Sequence, residues 1–343
     1  MSPHASPATE TRPPTRPPTR PGSPTDTPTE SSPEGPETEA HPRFVVRRVQ
    51  FAWDDVPVHW LPDDPVAAQV MNVLHVLLPP GEKWFVEVYR DVLPTIEDPV
   101  LRREMKAFMG QESVHGRTHL GFVEHLDALG YDTPPLGRRL ERTVEIATRW
   151  GRRTIGERRT QVMLVATIAG IEHYTAVLGE WALVSDVFDR SDATMADILR
   201  WHGAEELEHK CVAFDVLQAV SGGSYAWRLA GYLMASFQMA RLWPICTDHL
   251  IAHDPDLHHL TPRERRREVW RSFRRRNLPG RELLRPLVQY FKPGFHPSQH
   301  ETLALARRFL VTSPAVRALP SASSAADPTD RSGTDLEPEQ VAS

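Results

Sequence analysis

From residue 63 onward, apolar side chains recur three, four and seven positions apart, the spacing of one face of an α-helix. The alternation that marks a half-buried strand is almost absent. Phe44 to Phe51 (FVVRRVQF) is the one segment that suits a short strand. Helix punctuation then divides the chain. Asp63-Asp64-Pro65 is a start signal, an acidic cap with proline in the first turn. Pro79-Pro80-Gly81 predicts a break, with Pro80 opening the next helix. Asp98-Pro99 opens a helix that Gly130 can close. Further helices are expected over Leu136–Trp150, Glu157–Val184 and Asp192–Val220, the last closed by Gly222-Gly223. Helices continue to about Leu310, with breaks at Asp254-Pro255, Pro279-Gly280 and Pro293-Gly294.

The ends read differently. Residues 1–41 are rich in Pro, Thr, Ser and Glu, with few large apolar side chains to offset chain entropy. Residues 312–343 look alike. Both are expected to be disordered tails flanking a single helical domain over 42–311. The longest apolar stretch, Leu229 to Trp243, is interrupted by Gln238 and Arg241. It falls short of the roughly 20 residues a spanning helix needs, so no transmembrane segment is expected. No secretory signal is visible.

Charge and composition narrow the function classes. The chain has 343 residues and a net charge of −5, which gives no electrostatic reason to expect a nucleic-acid partner. Two cysteines, Cys211 and Cys246, form no CxxC pair and fit a reducing cytoplasm. No P-loop, dinucleotide-binding glycine pattern, GxSxG elbow or HExxH pattern occurs in a supporting context. The arginine run from Arg263 to Arg276, with Trp270 and Phe273 interleaved, reads first as a solvated helix face. Contact with acidic lipid headgroups at a membrane surface is its second reading.

Acids on apolar faces carry the chemistry. Met105, Phe108, Glu112, His115, Gly116 and His119 share one helical stripe. Ile198, His202, Glu206, His209 and Ala213 share another. Each stripe contains a Glu-x-x-His pair, Glu112/His115 and Glu206/His209. One glutamate precedes each pair. Glu82 lies with Phe85, Val86 and Tyr89, whereas Glu87 falls with Lys83, Arg90 and Asp91 and faces water. Glu172 sits among Val165, Ile168, Ala169 and Ala176. Buried carboxylates are costly unless paired or bound to metal, and two cations would resolve the repulsion of four. A Glu from each of two helices with a Glu-x-x-His from each of two others is the ligand set of dinuclear bundles. The expected fold is therefore all-α, a ferritin-like four-helix bundle core with additional C-terminal helices. Glu82, Glu112, His115, Glu172, Glu206 and His209 are its metal ligands. His119 and His202, one turn away, are a further ligand or proton donors, and Glu205 competes with Glu206. His173, about 100° from Glu172, lies beside the site or is exposed.

Five segments together resemble the bacterial "predicted metal-dependent hydrolase" family. They are PPGEKWFVEVYRDVLP (79–94), DPVLRREMKAFMGQESVHGRTH (98–119), TIAGIEHYTA (167–176), WHGAEELEHKCVAFDV (201–216) and YFKPGFHP (290–297). The resemblance spans about 44–310, and His75 departs from it where a small polar residue is expected. It implies hydrolysis, with Glu82, Glu112, His115, His119, Glu172, His202, Glu205, Glu206 and His209 at the site, and His119, His202 and Glu205 in catalytic roles. The same ligands suit a di-iron oxidase or oxygenase that activates O2, or a non-catalytic metal-binding protein. Iron is the foremost metal, and manganese and zinc also accept this set. The expected partner is a small, partly apolar substrate held by Phe85, Phe108, Val165 and helices past Gly223. A homodimer is compatible with such a bundle.

Overall fold

The computed structural model describes residues 45–276 and 280–319. The described residues are all-helical, with irregular connections and no strand. Five long helices build the core: α1 (Pro65–Val92), α2 (Pro99–Ala128), α4 (Glu157–Val184), α5 (Ala193–Ser221) and α6 (Tyr225–His253). α3 (Pro134–Thr154) connects α2 to α4 and packs on α1 and α4. After α6 come α7 (Pro262–Arg275), α8 (Arg281–Gln289), α9 (Leu303–Leu310) and α10 (Pro314–Arg317).

The capping signals act where the sequence places them. The Asp64 carboxylate accepts from the Ala67 amide at 3.1 Å, with Pro65 in the first turn. Asp98 caps α2 and Asp192 caps α5 in the same way. Gly222 ends α5 at φ +64°, a conformation that a side chain would strain. The break expected at Asp254 is real. Asp254 is buried, and its carboxylate accepts from Gln69 at 2.7 Å and Tyr131 at 2.9 Å, joining α1 and the α2–α3 turn to the end of α6.

Three expectations are corrected. The helix does not break at Pro79-Pro80, because α1 runs through both prolines. Two amide donors are lost there, at a cost of about 3 kcal/mol or more for a proline within a helix. One continuous buried face, from Val73 and Val76 to Phe85, Val88 and Tyr89, lies on both sides of the step and offsets that cost. The segment at 45–51 is not a strand, and no strand stands among the described residues to pair with it. The packed chain also passes residue 311. Ser313 is buried, and the Ala315 amide donates to Asp197 Oδ2 at 2.9 Å, fastening α10 to α5. The expected tails at 1–41 and beyond 319, and the Pro279 break, lie outside the described residues.

Two pairs of helices position the site. α1 packs along α2 and α4 along α5, while α2 meets α5 and α1 meets α4. α4 is the one described helix long and apolar enough to cross a membrane, and most of it is buried within the protein.

Candidate metal centre

Burial separates the acids as helical periodicity predicts. Glu82, Glu112, Glu172 and Glu206 are buried, whereas Glu87 is exposed. Their helices bring them to one place. The ligand atoms of Glu112, His115, Glu206 and His209 all lie within 4.8 Å of one another. His209 Nδ1 is 2.7 Å from Glu112 Oε1 and 3.7 Å from both Glu206 Oε1 and Glu172 Oε2. His115 Nδ1 is 3.6 Å from Glu206 Oε1. Glu82 stands beside this group with His119 and His202, and its Oε1 is 3.7 Å from His202 Nε2. Gly116, opposite the proline step of α1, leaves it room, because a β-carbon there would lie 3.2 Å from Glu82 Oε2.

Several inward atoms make no hydrogen bond to the protein. Both carboxylate oxygens of Glu82, both of Glu172, and His115 Nδ1 are buried without a hydrogen bond. Buried polar groups in folded proteins are nearly always satisfied. Burial, followed by the charges of neighbouring glutamates, pushes the Glu82, Glu112 and Glu172 carboxyls well above the usual range. Burial also acts upward on Glu206, but His202, His209 and Thr175 outweigh it and hold that carboxyl below its ordinary value.

The outward faces of His115 and His209 are fixed. His115 Nε2 shares a 2.8 Å hydrogen bond with Glu205 Oε2, and Arg47 donates to Glu205 Oε1 at 2.8 Å. His209 Nε2 is bound to Gln111 Oε1 at 2.8 Å, and Gln111 donates to Glu208 Oε2 at 3.0 Å. Arg47 closes the ring by donating to Glu208. Each imidazole thus turns Nδ1 toward the centre. Such outer partners orient ligand histidines and set their basicity. Glu206 points inward and Glu205 away, so the two adjacent acids have separate places. Burial lifts the Glu205 carboxyl to about 7, against the pull of Arg47.

A histidine row leaves the centre. His202 Nε2 meets Glu206 Oε1 at 2.8 Å, His202 Nδ1 meets His119 Nε2 at 2.5 Å, and His119 Nδ1 meets His75 Nδ1 at 2.9 Å. Burial, then the charge of His202, holds His119 well below the ordinary imidazole value and His75 down to about 3. Thr175 donates to Glu206 Oε2. His173 is neither at the centre nor exposed. It is buried against Tyr290 and Phe295, with Nε2 bound to the Pro286 carbonyl at 3.1 Å.

Sequence reasoning missed Arg47, Gln111, Thr175, Glu208 and the role of His75. Gln111, Thr175 and Glu208 stand inside the quoted motifs, so their proximity to ligands was the available signal. Arg47 carried none, because it reaches the centre from an irregular segment 158 residues before Glu205.

A cavity of about 310 Å³ opens onto this row and reaches Glu206, His202, His119 and Thr175. Its remaining walls are nearly all apolar, from α1, α4 and α5 together with Trp243, Phe273 and Leu283. Phe85, Phe108 and Val165, expected to line a pocket, are instead packed into closed core with Tyr89 and Met105.

Helical fold, buried glutamate–histidine clusters and motifs together define a class: an all-helical protein with residues able to hold metal. The family model described as "Predicted metal-dependent hydrolase" matches residues 45–301, and the chain belongs to that family. Searches of curated proteins and of solved structures found no match.

The Glu205 link gives a prediction. Glu205→Ala frees His115 Nε2 and leaves Arg47 one acceptor fewer. Metal affinity, read by competition with a chelating dye, is expected to fall about 10–100-fold. Glu205→Gln, which keeps an acceptor, should lose less. Equal affinity in all three proteins would refute the orienting role.

Proposed function

We propose that α1, α2, α4 and α5 form a ferritin-like bundle whose centre holds two divalent metal ions. On this reading the protein is a metal-dependent hydrolase acting on a small molecule with an apolar body. The supporting observation is that the buried oxygens of Glu82 and Glu172 make no hydrogen bond, while Glu172 Oε2 lies 3.7 Å from His209 Nδ1 in the Glu112, His115, Glu206 and His209 cluster. Those residues with Glu112, Glu206 and His209 would hold the ions, with iron foremost and manganese or zinc also suited by the donor set. When bound, the pair supplies Lewis acidity to a substrate oxygen.

The chain's own residues supply the rest. The apolar cavity receives the substrate body and excludes water from it. Thr175 and His202 hold Glu206 in one orientation. His202 can pass a proton to His119, and His119 to His75, along the hydrogen-bonded row. Burial lowers the proton affinity of His119 and His75, so neither retains a proton passed along this row. His119 and His202 therefore take the proton-transfer role, and Glu205 positions His115.

One observation favours a second reading, O2-dependent oxidation by a di-iron form of the same centre. Among the described residues, the cavity lining holds no ionisable or hydroxyl-bearing side chain apart from His119, Thr175, His202 and Glu206 to grip a hydrolysable polar group. A purely storage or structural role has no use for that cavity. The deciding measurement is metal content of protein purified without added metal or chelator, with a visible spectrum in air. About two irons per chain with a charge-transfer band select oxidation. Two zincs or manganeses without a band select hydrolysis. Protein that contains none and takes up none of the three sinks both readings.

A further inference from the structure

The outward side of α7, which packs on α1 and α6, has no role in holding the proposed metal centre. α7 carries seven arginines and two glutamates, a net of +5 within one helix, in a chain whose total is −5. At about 100° per residue, Arg263, Arg267, Trp270 and Arg274 fall on one stripe, and all four are exposed. The opposite side is anchored. Ser272 is buried and donates to Asp64 Oδ2 at 2.9 Å, and Phe273 lines the cavity.

The arginines divide accordingly. Arg265, Arg271, Arg275 and Arg276 pair with Asp248, Glu268 or Asp64. No described carboxylate forms an ion pair with Arg263, Arg266, Arg267 or Arg274. A merely solvated helix face mixes signs and pairs them along its length. Here no described carboxylate pairs with the outward stripe, Glu264 alone acting on Arg267 through its charge, and a tryptophan 64 % exposed stands in its middle.

Exposed apolar side chains also stand on α6 and α8, the helices that share the cavity rim with α7. Leu233 and Phe237 on α6 and Leu284 and Val288 on α8 are exposed, Phe237 and Val288 each by 62 %. The two helices are neighbours, since Tyr232 on α6 donates to the Leu287 carbonyl of α8 at 3.0 Å. α6, α7 and α8 each also send one side chain, Trp243, Phe273 and Leu283, into the apolar cavity.

We infer that this face docks on the surface of an anionic lipid bilayer. Arginines reach phosphate while tryptophan sits at headgroup depth, and the exposed Leu, Val and Phe enter the acyl boundary. A nucleic acid would satisfy the arginines but leave those apolar side chains without a partner. Docking would place the cavity walls against the source of an apolar ligand, a consequence that rests on the proposed function, whereas the docking itself does not.

The test is co-sedimentation of the full chain with vesicles of phosphatidylcholine alone and of phosphatidylcholine mixed with phosphatidylglycerol. Binding is expected to the mixed vesicles only. Each arginine near such a surface contributes about fivefold in partitioning. Arg263→Glu with Arg267→Glu and Arg274→Glu should therefore lower binding more than a hundredfold. Trp270→Ala should weaken it several-fold with the arginines intact, and none of these exposed changes should move the melting temperature. Absence of binding to the mixed vesicles overturns the inference. So does an unchanged affinity in Trp270→Ala coupled with equally tight binding to single-stranded DNA, which would mark a general polyanion site.

Discussion

Metal-free protein is expected to become more stable when Glu172 is replaced by glutamine, while the gain in stability on adding metal disappears. The reason lies in the three carboxyls that burial and mutual repulsion push upward, Glu82, Glu112 and Glu172. A carboxyl that keeps its proton in the fold, where the unfolded chain has lost it, makes folding take up a proton. Stability then falls as pH rises above the unfolded value of about 4.3, by about 1.4 kcal/mol per pH unit for each such group, until the folded value is passed. Glu206, held low by His202 and its neighbours, works in the opposite sense and loses its contribution as pH falls. The buried imidazoles of His75, His115 and His119, held low, oppose the three carboxyls below the unfolded histidine value of about 6.5. The comparison therefore lies above it: the metal-free protein should melt higher at pH 7 than at pH 8. Glu172→Gln removes one of the three and flattens that slope.

Metal bound at the proposed centre should reverse the balance. Ions that bind only the folded state add about 4 kcal/mol for each site at a thousandfold excess over the dissociation constant. That corresponds to roughly 8–16 °C in a domain of this size. Wild-type protein should show this rise, and Glu172→Gln, which lacks one ligand oxygen, should show little of it. Differential scanning fluorimetry with and without Fe(II), Mn(II) or Zn(II), at both pH values, reads all four quantities. A variant that is less stable than wild type without metal would mean that Glu172 is satisfied by the protein itself. The two-metal reading would then lose its main support.

How much of this was written along the chain depends on whether a residue's role is set by its own helix. The six proposed ligands were legible because an acid on an apolar stripe breaks the period, and four such breaks recur in the order Glu, Glu-x-x-His, Glu, Glu-x-x-His. The caps at Asp64, Asp98 and Asp192 were legible for the same local reason. What failed was set by other elements. Pro79-Pro80 ends a helix in isolation, but here a face packed against α2 carries the helix across. Arg47 has no periodic signature, because its partners Glu205 and Glu208 are supplied by α5. Phe85, Phe108 and Val165 are large and inward, yet periodicity cannot tell a closed core from a cavity wall. The cavity exists where α1, α4 and α5 fail to fill the space between them, a property of the packed set.

The tightest part of that packed set yields the last prediction. Gly179 on α4 and Gly203 on α5 face each other. A β-carbon on Gly179 would stand 2.4 Å from the Gly203 carbonyl oxygen and 2.8 Å from its Cα. A β-carbon on Gly203 would stand 2.7 Å from the Gly179 Cα. Backbone cannot swing aside as a flexible side chain can, so a methyl group at either position must part the helices. Overpacking of this kind costs about 1–3 kcal/mol, or roughly 3–10 °C in melting temperature. α4 and α5 also carry Glu172 and Glu206, so the same parting should weaken metal binding even though neither glycine is a ligand. Gly137→Ala is the control. Gly137 lies in α3 with nothing within 4 Å of its added methyl, and alanine should stabilise that helix by up to about 1 kcal/mol. The double variant Gly179→Ala with Gly203→Ala should cost clearly less than the sum of the singles, because one separation relieves both clashes. Strict additivity, or single variants as stable as wild type with metal affinity intact, would show that the α4–α5 contact does not set the spacing of the site.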